Sequence, residues 1–260
     1  EFVMGSPLTE MGRLENESQH KRRIGRTFAL ATKSVTVEEF RKYEKDYGQS
    51  AVSARKTDLP VGGIDWYRAA KYCNWLSEQE GLPAGQSCFE IMGDEIKLKA
   101  NYLSLGGYRL PTEAEMEYAT RAGTLTKRYF GETDDLLPKY AWFTKNSQEE
   151  TWPVGSLKPN DLGLFDVQGN MFTWCQESLG PYPPGDAVSD DKEAQLGVDG
   201  NARRVLRGGS FLNQALHIRS AFRLDFLPSN RLSSSGFRPA RTVPLVPLTP
   251  LSPTAEGGRN

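Results

Sequence analysis

The sequence has few cysteines and histidines, little net charge and no long apolar run. Its 260 residues include three cysteines and two histidines, so neither a disulfide framework nor a zinc centre is expected. The formal net charge of −1 gives no general attraction for nucleic acid or anionic lipid. No stretch approaches about 18 apolar residues, and the first residues do not resemble a signal peptide. We therefore expect no nucleic-acid partner, no membrane insertion and a cytoplasmic location.

Glycine, proline and aromatic residues are frequent instead. The chain has 25 glycines and 16 prolines, and aromatic residues make up 10% of it. Helix signals lie in the first half, whereas short apolar runs alternate with turn residues after residue 124. This order predicts a loop-rich α+β domain over residues 1–242. The proline-rich residues 243–260 are predicted to form an extended or disordered tail outside the core.

Three segments begin with residues that favour helix N-termini. Thr36 with Glu39, and Thr112 with Glu115, have the spacing of capping boxes, and Asp65 can cap a helix between them. The middle segment has an apolar face with helical spacing, formed by Trp66, Ala69, Ala70, Cys73 and Leu76.

Three acidic residues occupy the first turns of the third predicted helix: Glu113, Glu115 and Glu117. They allow two interpretations, catalytic carboxylates or residues that stabilise the helix macrodipole. We favour the second interpretation and predict no catalytic residue there.

Six motifs follow one another along the chain: FVMGSP, LPVGGIDWYRAAKYCNWLS, YRLPTEAEMEYATR, GLFDVQGNMFTW, VLRGGSF and GFRPAR. In this order they resemble the formylglycine-generating enzyme (sulfatase-modifying factor) family over roughly residues 2–242. The resemblance implies a C-type-lectin-like fold with little regular secondary structure.

The resemblance also implies an oxidase that converts a substrate cysteine to formylglycine with copper held by two cysteines just after RGGS. Thiolate pairs suit copper(I), a soft ion. Here Asn213 stands where the first cysteine is expected, and no cysteine follows Cys175. We therefore predict that the chain has no catalytic residues and is not an enzyme.

A calcium site is implied by the resemblance in the segment DVQGNMFTW. The candidate ligands are Asp166 and the carbonyl groups of Gly169 and Met171, since a hard cation binds several oxygens. Thr173 stands where the family has an acidic residue, and the alternative is a tight turn stabilised by Asn170. Calcium is the only cofactor that we predict.

The interval from RGGS to GFR also resembles the variable region of proteins diversified by retroelements. In those proteins adenines of a template RNA are miscopied, so asparagine codons change while a framework is kept. The apolar residues of this interval follow no helical or strand period, which fits a displayed surface, although a core beneath a long loop is the alternative. The predicted variable region is about 205–241, with ligand-binding residues Leu212, Gln214, Leu216, His217, Phe222, Leu224, Asp225, Phe226, Leu232, Ser233, Ser234 and Ser235.

Five arginines in the same part of the chain are predicted to be scaffold residues that donate to loop carbonyl groups: Arg219, Arg223, Arg231, Arg238 and Arg241. The leading predicted function is binding of an unknown ligand, expected to be a protein. The alternative is an enzyme of the formylglycine-generating type, or an accessory or regulatory module such as one attached to a kinase.

Overall fold

The computed structural model describes residues 1–48, 57–93, 95–183, 187–191 and 196–243. Short helices and short strands are joined by long ordered segments, which confirms the predicted loop-rich α+β class. Apart from Val243, the predicted tail lies outside the described residues.

Three of the four α-helices in the described residues begin where the sequence predicted. Thr36 and Thr112 each accept a hydrogen bond from the backbone three residues on, within complete capping boxes, and Asp65 accepts one from the backbone of Arg68. The helices are α1 (Val37–Tyr43), α2 (Trp66–Gln79), α3 (Glu113–Arg121) and α4 (Thr144–Ser147). Among the described residues, no helix is both long and apolar enough to cross a membrane.

Twelve short strands are described: β1 (Phe2–Met4), β2 (His20–Arg23), β3 (Phe28–Leu30), β4 (Phe89–Met92), β5 (Glu95–Leu98), β6 (Tyr108–Arg109), β7 (Phe172–Ser178), β8 (Ser189–Asp190), β9 (Arg204–Arg207), β10 (Arg223–Phe226), β11 (Ser235–Gly236) and β12 (Ala240–Thr242). The largest sheet has the order β10-β9-β7-β11. Two three-stranded sheets, β1-β2-β8 and β3-β12-β6, and the hairpin β4-β5 complete the described strands.

Two buried tryptophans join α2 to the four-stranded sheet. Trp66 and Trp174 have no exposed surface. The indole of Trp66 donates to the carbonyl oxygen of Cys175 at 2.9 Å, and that of Trp174 donates to the carbonyl oxygen of Ile64 at 2.8 Å. Because both N–H groups are satisfied, the rings can fill the core without leaving a buried donor unpaired.

Candidate ligand-binding surface

The predicted variable region is built on the antiparallel strands β9 and β10. Arg207, the last residue of β9, lies opposite Arg223, the first residue of β10, and the loop of residues 208–222 joins them. The loop starts at Gly208 with a φ of +92°. A Cβ atom at that position would lie 2.7 Å from the carbonyl oxygen of Val167, so both the backbone angle and the available space require glycine.

Arg207 fixes the returning end of this loop. Its buried guanidinium donates to the carbonyl oxygens of Ala221 and Phe222, both at 2.8 Å, and of Ser220 at 2.9 Å. It also forms an ion pair with the buried carboxylate of Glu117. A planar group with several donors can satisfy successive carbonyls of an irregular backbone, so Arg207 replaces regular secondary structure here.

Arg219 fixes the loop to the N-terminal segment. Its guanidinium donates to both carboxylate oxygens of Glu17 and to one of Glu10, each at 2.7 Å. It also donates to the carbonyl oxygens of Gly12, at 2.7 Å, and Leu216, at 2.8 Å. The residue is fully buried, so these charge-assisted bonds hold two distant segments in one place.

Arg128 also supports the middle of the loop. It donates to the carbonyl oxygens of Ala215 and Ile218, both at 2.8 Å. The side chain of Ile218 is buried against a small apolar cluster that includes Leu137 and Phe143. The backbone between them is therefore held by polar contacts and by packing.

Three side chains on this held backbone are exposed. Leu212 is 48% exposed and Leu216 is 37% exposed, and Gln214 is exposed between them. His217 is half-buried, with its ring centroid 5.0 Å from that of Phe222. The structure thus places three of the predicted ligand-binding side chains on the surface of a well-supported loop.

Two predicted ligand-binding residues are buried instead, and their display was wrongly predicted. Phe222 is 5% exposed and packs within the main core, with its ring centroid 6.4 Å from that of Phe172. Ser235 is fully buried because it lies in β11, paired with Phe172 of β7. Neither can contact a ligand without a change in the fold.

The predicted residues of β10 form an intermediate group. Leu224 and Phe226 are half-buried and pack against the main core. Asp225 is also half-buried and forms an ion pair with Arg203, whose guanidinium lies 5.6 Å from the ring centroid of Phe226. These side chains contribute to stability and also present part of their surface to solvent.

The last predicted group follows β10. Ser233 is exposed, and Leu232 and Ser234 are half-buried. Their backbone is tied to the core, because the carbonyl oxygen of Leu232 accepts from Gly63 and that of Ser234 accepts from Phe172, both at 2.9 Å.

The scaffold role predicted for the arginines is confirmed for Arg219, Arg223 and Arg238, which are buried and donate to loop carbonyls. The other two differ from the prediction. Arg231 has a 63% exposed side chain and pairs with Asp65 at 2.7 Å. Arg241 is partly exposed and lies 5.1 Å from the ring centroid of Tyr108.

The carboxylates of α3 stabilise the helix macrodipole and also pair with buried arginines. The sequence did not predict this pairing. Glu113 accepts from the guanidinium of Arg223 at 2.6 and 2.8 Å, and Glu115 accepts from that of Arg109 at 2.6 and 2.7 Å. Burial alone would raise the pKa of Glu113, but Arg223 and Arg207 outweigh it, so the pKa lies below its ordinary value. Of the arginines that support the loop, Arg207 is the one paired with carboxylates of α3, namely Glu113 and Glu117.

The proposed calcium ligands form a hydrogen-bonded turn. The carboxylate of Asp166 accepts from the backbone N–H of Gly155, and the carbonyl oxygen of Gly169 accepts from that of Met171, both at 2.7 Å. Burial raises the pKa of Asp166 despite the bond from Gly155. The described residues contain no group of three or more His, Cys, Asp or Glu side chains placed for a metal ion. The Asp166 carboxylate and the Gly169 carbonyl group thus already have hydrogen-bond partners within the protein, and calcium binding remains a prediction from the resemblance.

The residues after RGGS do not fit the copper centre of the resemblance. The side-chain oxygen of Asn213 accepts from the backbone N–H and the hydroxyl of Ser210, at 2.8 and 2.9 Å. The three cysteines are buried elsewhere, and burial raises the pKa of each thiol. Asn213 is therefore a turn-forming residue.

Comparison with known proteins identifies the family. The family model of the sulfatase-modifying factor enzyme 1-like domain matches residues 1–243. The chain belongs to this family. A family member from Streptomyces coelicolor, a formylglycine-generating enzyme, is 29% identical over an alignment that covers 95% of this chain and 88% of that protein. The chain also resembles part of the serine/threonine-protein kinase pkn1 of Chlamydia pneumoniae, with 30% identity over 78% of this chain but 27% of the kinase.

Among solved structures, this chain resembles Treponema denticola variable protein 1. The TM-score is 0.73 with 27% sequence identity, and the match covers 92% of this chain and 94% of the other. The fold and the resemblance predicted from the sequence motifs are both confirmed.

The prediction that the chain is not an enzyme requires correction. It rested on the missing cysteine pair alone. The sequence relatives, however, include proteins named as formylglycine-generating enzymes, and one of them aligns with almost the whole chain.

Proposed function

We propose that this family member is a ligand-binding variable protein, in which exposed residues on a fixed backbone contact the ligand. The observation that supports the proposal best is the loop of residues 208–222. Buried Arg207, Arg219 and Arg128 hold its carbonyl groups, while Leu212 and Leu216 stay exposed. A backbone held by groups outside the exposed positions keeps its shape when those positions change.

The proposed surface excludes the two buried residues. Its apolar side chains suit a protein ligand, because exposed apolar groups mark interaction sites and contribute much of the binding energy. It comprises Leu212, Gln214, Leu216, His217, Leu224, Asp225, Phe226, Leu232, Ser233 and Ser234.

The gene neighbourhood tests the diversification directly. We expect a reverse transcriptase close to the gene, and a near-copy of the coding region for residues 205–241 that differs from it at adenines. A neighbourhood with neither feature would contradict the proposal. Gln214 is an informative position, because a glutamine codon is not the simplest product of an asparagine codon.

A laboratory test uses two libraries. Randomising Leu212, Gln214 and Leu216 should leave most variants folded, since these side chains are exposed. The matched library randomises Ser220, Ala221 and Phe222, which are buried on the same loop, and should yield few folded members. Thermal melts of random clones measure the fraction of folded variants in each library. Equal folded fractions in the two libraries would refute a tolerant surface on a fixed scaffold.

Formylglycine generation is the second candidate function. It is favoured by the alignment of the Streptomyces coelicolor enzyme over 95% of the chain. Mass spectrometry of a CxPxR peptide incubated with the protein and oxygen tests it, since conversion of cysteine to formylglycine changes the peptide mass.

The regulatory-module alternative rests on the match to a quarter of the kinase. A cytoplasmic location also stays part of the proposal, and fractionation of cells that produce the protein would test it.

A further inference from the structure

A groove of about 600 Å³ lies over the small β3-β12-β6 sheet, and none of its lining residues belongs to the loop of residues 208–222. Ala29, Arg241 and Tyr108 are neighbours in the strand register and form its floor. Trp75 and Leu76, both half-buried on α2, form part of one wall. The volume falls within the range of ligand and peptide sites.

Most charged groups of the groove already have partners. The carboxylate of Glu39 accepts from the backbone N–H and hydroxyl of Thr36, at 2.8 and 2.9 Å. Glu80 accepts from the hydroxyl of Tyr108 at 2.7 Å and from Arg241 at 3.3 Å. Two further lining residues are exposed to water: Lys33 and Lys42. Apart from these two lysines, the groove offers an occupant mainly apolar side chains.

The chain itself contains such a segment just after its last described residue. Residues 244–253 read PLVPLTPLSP, with proline at every third position, leucine after each of the first three prolines, and no charge. This spacing favours polyproline II, which has about three residues per turn and would align the leucines in one stripe. Proline-rich segments of this kind bind grooves lined by aromatic side chains.

The segment begins close to the groove. Arg241 lies on the groove floor, and the backbone N–H of Val243 donates to the carbonyl oxygen of Thr27 at 2.9 Å, two residues before Ala29. Ten residues of polyproline II span about 31 Å, and attachment at one end raises the effective concentration of the segment at the groove. We propose that residues 244–253 of this chain bind in the groove, with the leucine stripe against Trp75 and Leu76.

The test places a nitroxide just beyond the segment. The variant Thr254→Cys can be labelled selectively, because the three native cysteines are buried. In the ¹⁵N-labelled full chain, the nitroxide should broaden the indole signal of Trp75 and the amide signals of Ala29 and Ala31. Leu125, which is exposed and does not line the groove, should keep its signal.

Two further variants of the labelled chain sharpen the test. Replacing Leu245, Leu248 and Leu251 with serine should restore the groove signals, since the apolar stripe is lost. Ala29→Trp should also restore the remaining groove signals, because a large side chain on the exposed floor position blocks the groove without displacing core atoms. Unbroadened signals in the first labelled chain would overturn the proposal. A mixing experiment combines ¹⁵N chains that lack the nitroxide with ¹⁴N chains that carry it. Broadening of the ¹⁵N signals in this mixture would also overturn the proposal, because it would show that another copy supplies the segment.

Discussion

The loop of residues 208–222 and the following residues 223–235 both carry apolar side chains, but they place them differently. In the loop, Leu212 and Leu216 point to solvent from a backbone held by buried arginines. In the second region, Leu224 and Phe226 rest on the main core. Buried arginines thus release Leu212 and Leu216 from a packing role, whereas a strand on the core shares its side chains between packing and solvent.

The largest expected effect comes from removing an arginine that supports the loop. Arg207→Ala would leave the buried carboxylate of Glu117 without this partner and free three carbonyl groups. Breaking a buried ion pair costs about 3–5 kcal/mol. Chemical denaturation should therefore show a severe loss of the free energy of unfolding, or no folded protein at all.

Arg203→Ala is the matched control. Arg203 precedes β9, has a 53% exposed side chain and pairs with Asp225. Exposed ion pairs contribute less than about 1 kcal/mol, so this variant should stay close to the parent. Equal losses for the two variants would show that the loop does not depend on the buried arginine.

Phe222→Ala should give the next largest effect. Truncation of a buried phenylalanine costs about 3–5 kcal/mol, and we expect the lower end because Phe222 keeps 5% exposure. The measurement is again the free energy of unfolding. If the free energy of unfolding falls by less than about 0.5 kcal/mol, the usual range for surface changes, Phe222 would be exposed on the ligand-binding surface and not buried.

Acid should weaken the fold through the carboxylates of α3, of which Glu113 pairs with the loop-supporting Arg207. The pKa of Glu113 and that of Glu115 are lowered in the fold, because the arginine partners outweigh burial. Their stabilising effect is complete above the unfolded-state pKa, near 4.5, and is lost as the pH falls through the lower folded-state values. Denaturation between neutral pH and pH about 3 should show this loss.

Glu113→Gln should make that dependence on pH shallower, at the cost of lower stability at neutral pH. Glu38→Gln, in the exposed first turn of α1, is the control and should leave the acid dependence unchanged. An unaltered acid profile in Glu113→Gln would argue against the buried carboxylate as its source.

The smallest effect is expected at the exposed loop positions. The double change of Leu212 and Leu216 to serine should alter the free energy of unfolding by no more than about 0.5 kcal/mol per site. Both residues are far more exposed than Phe222, so less buried area is lost than in the truncation of Phe222. Thermal melts would detect a larger loss, and such a loss would place these leucines in the core with Phe222.

Local signals in the sequence were enough to predict three of the helix starts and the α+β class. The capping boxes at Thr36 and Thr112 depend on residues three positions apart, which a sequence shows directly. The pairing of Arg219 with Glu17 joins positions 202 residues apart, and no local pattern indicates it. For the same reason the sequence could not separate buried Phe222 from exposed Leu216, since the backbone path between them is set by these distant contacts.

The paired ends of the loop of residues 208–222 make it suitable for protein engineering. Because Arg207 lies opposite Arg223 in the strand register, the loop leaves and re-enters the sheet at neighbouring points. Doubling the length of a flexible loop costs only about 0.6 kcal/mol in closure entropy. A foreign peptide epitope inserted beside the exposed Gln214 could therefore be carried without redesigning the sheet, provided that Arg128 and Arg219 keep their contacts with the backbone that follows it.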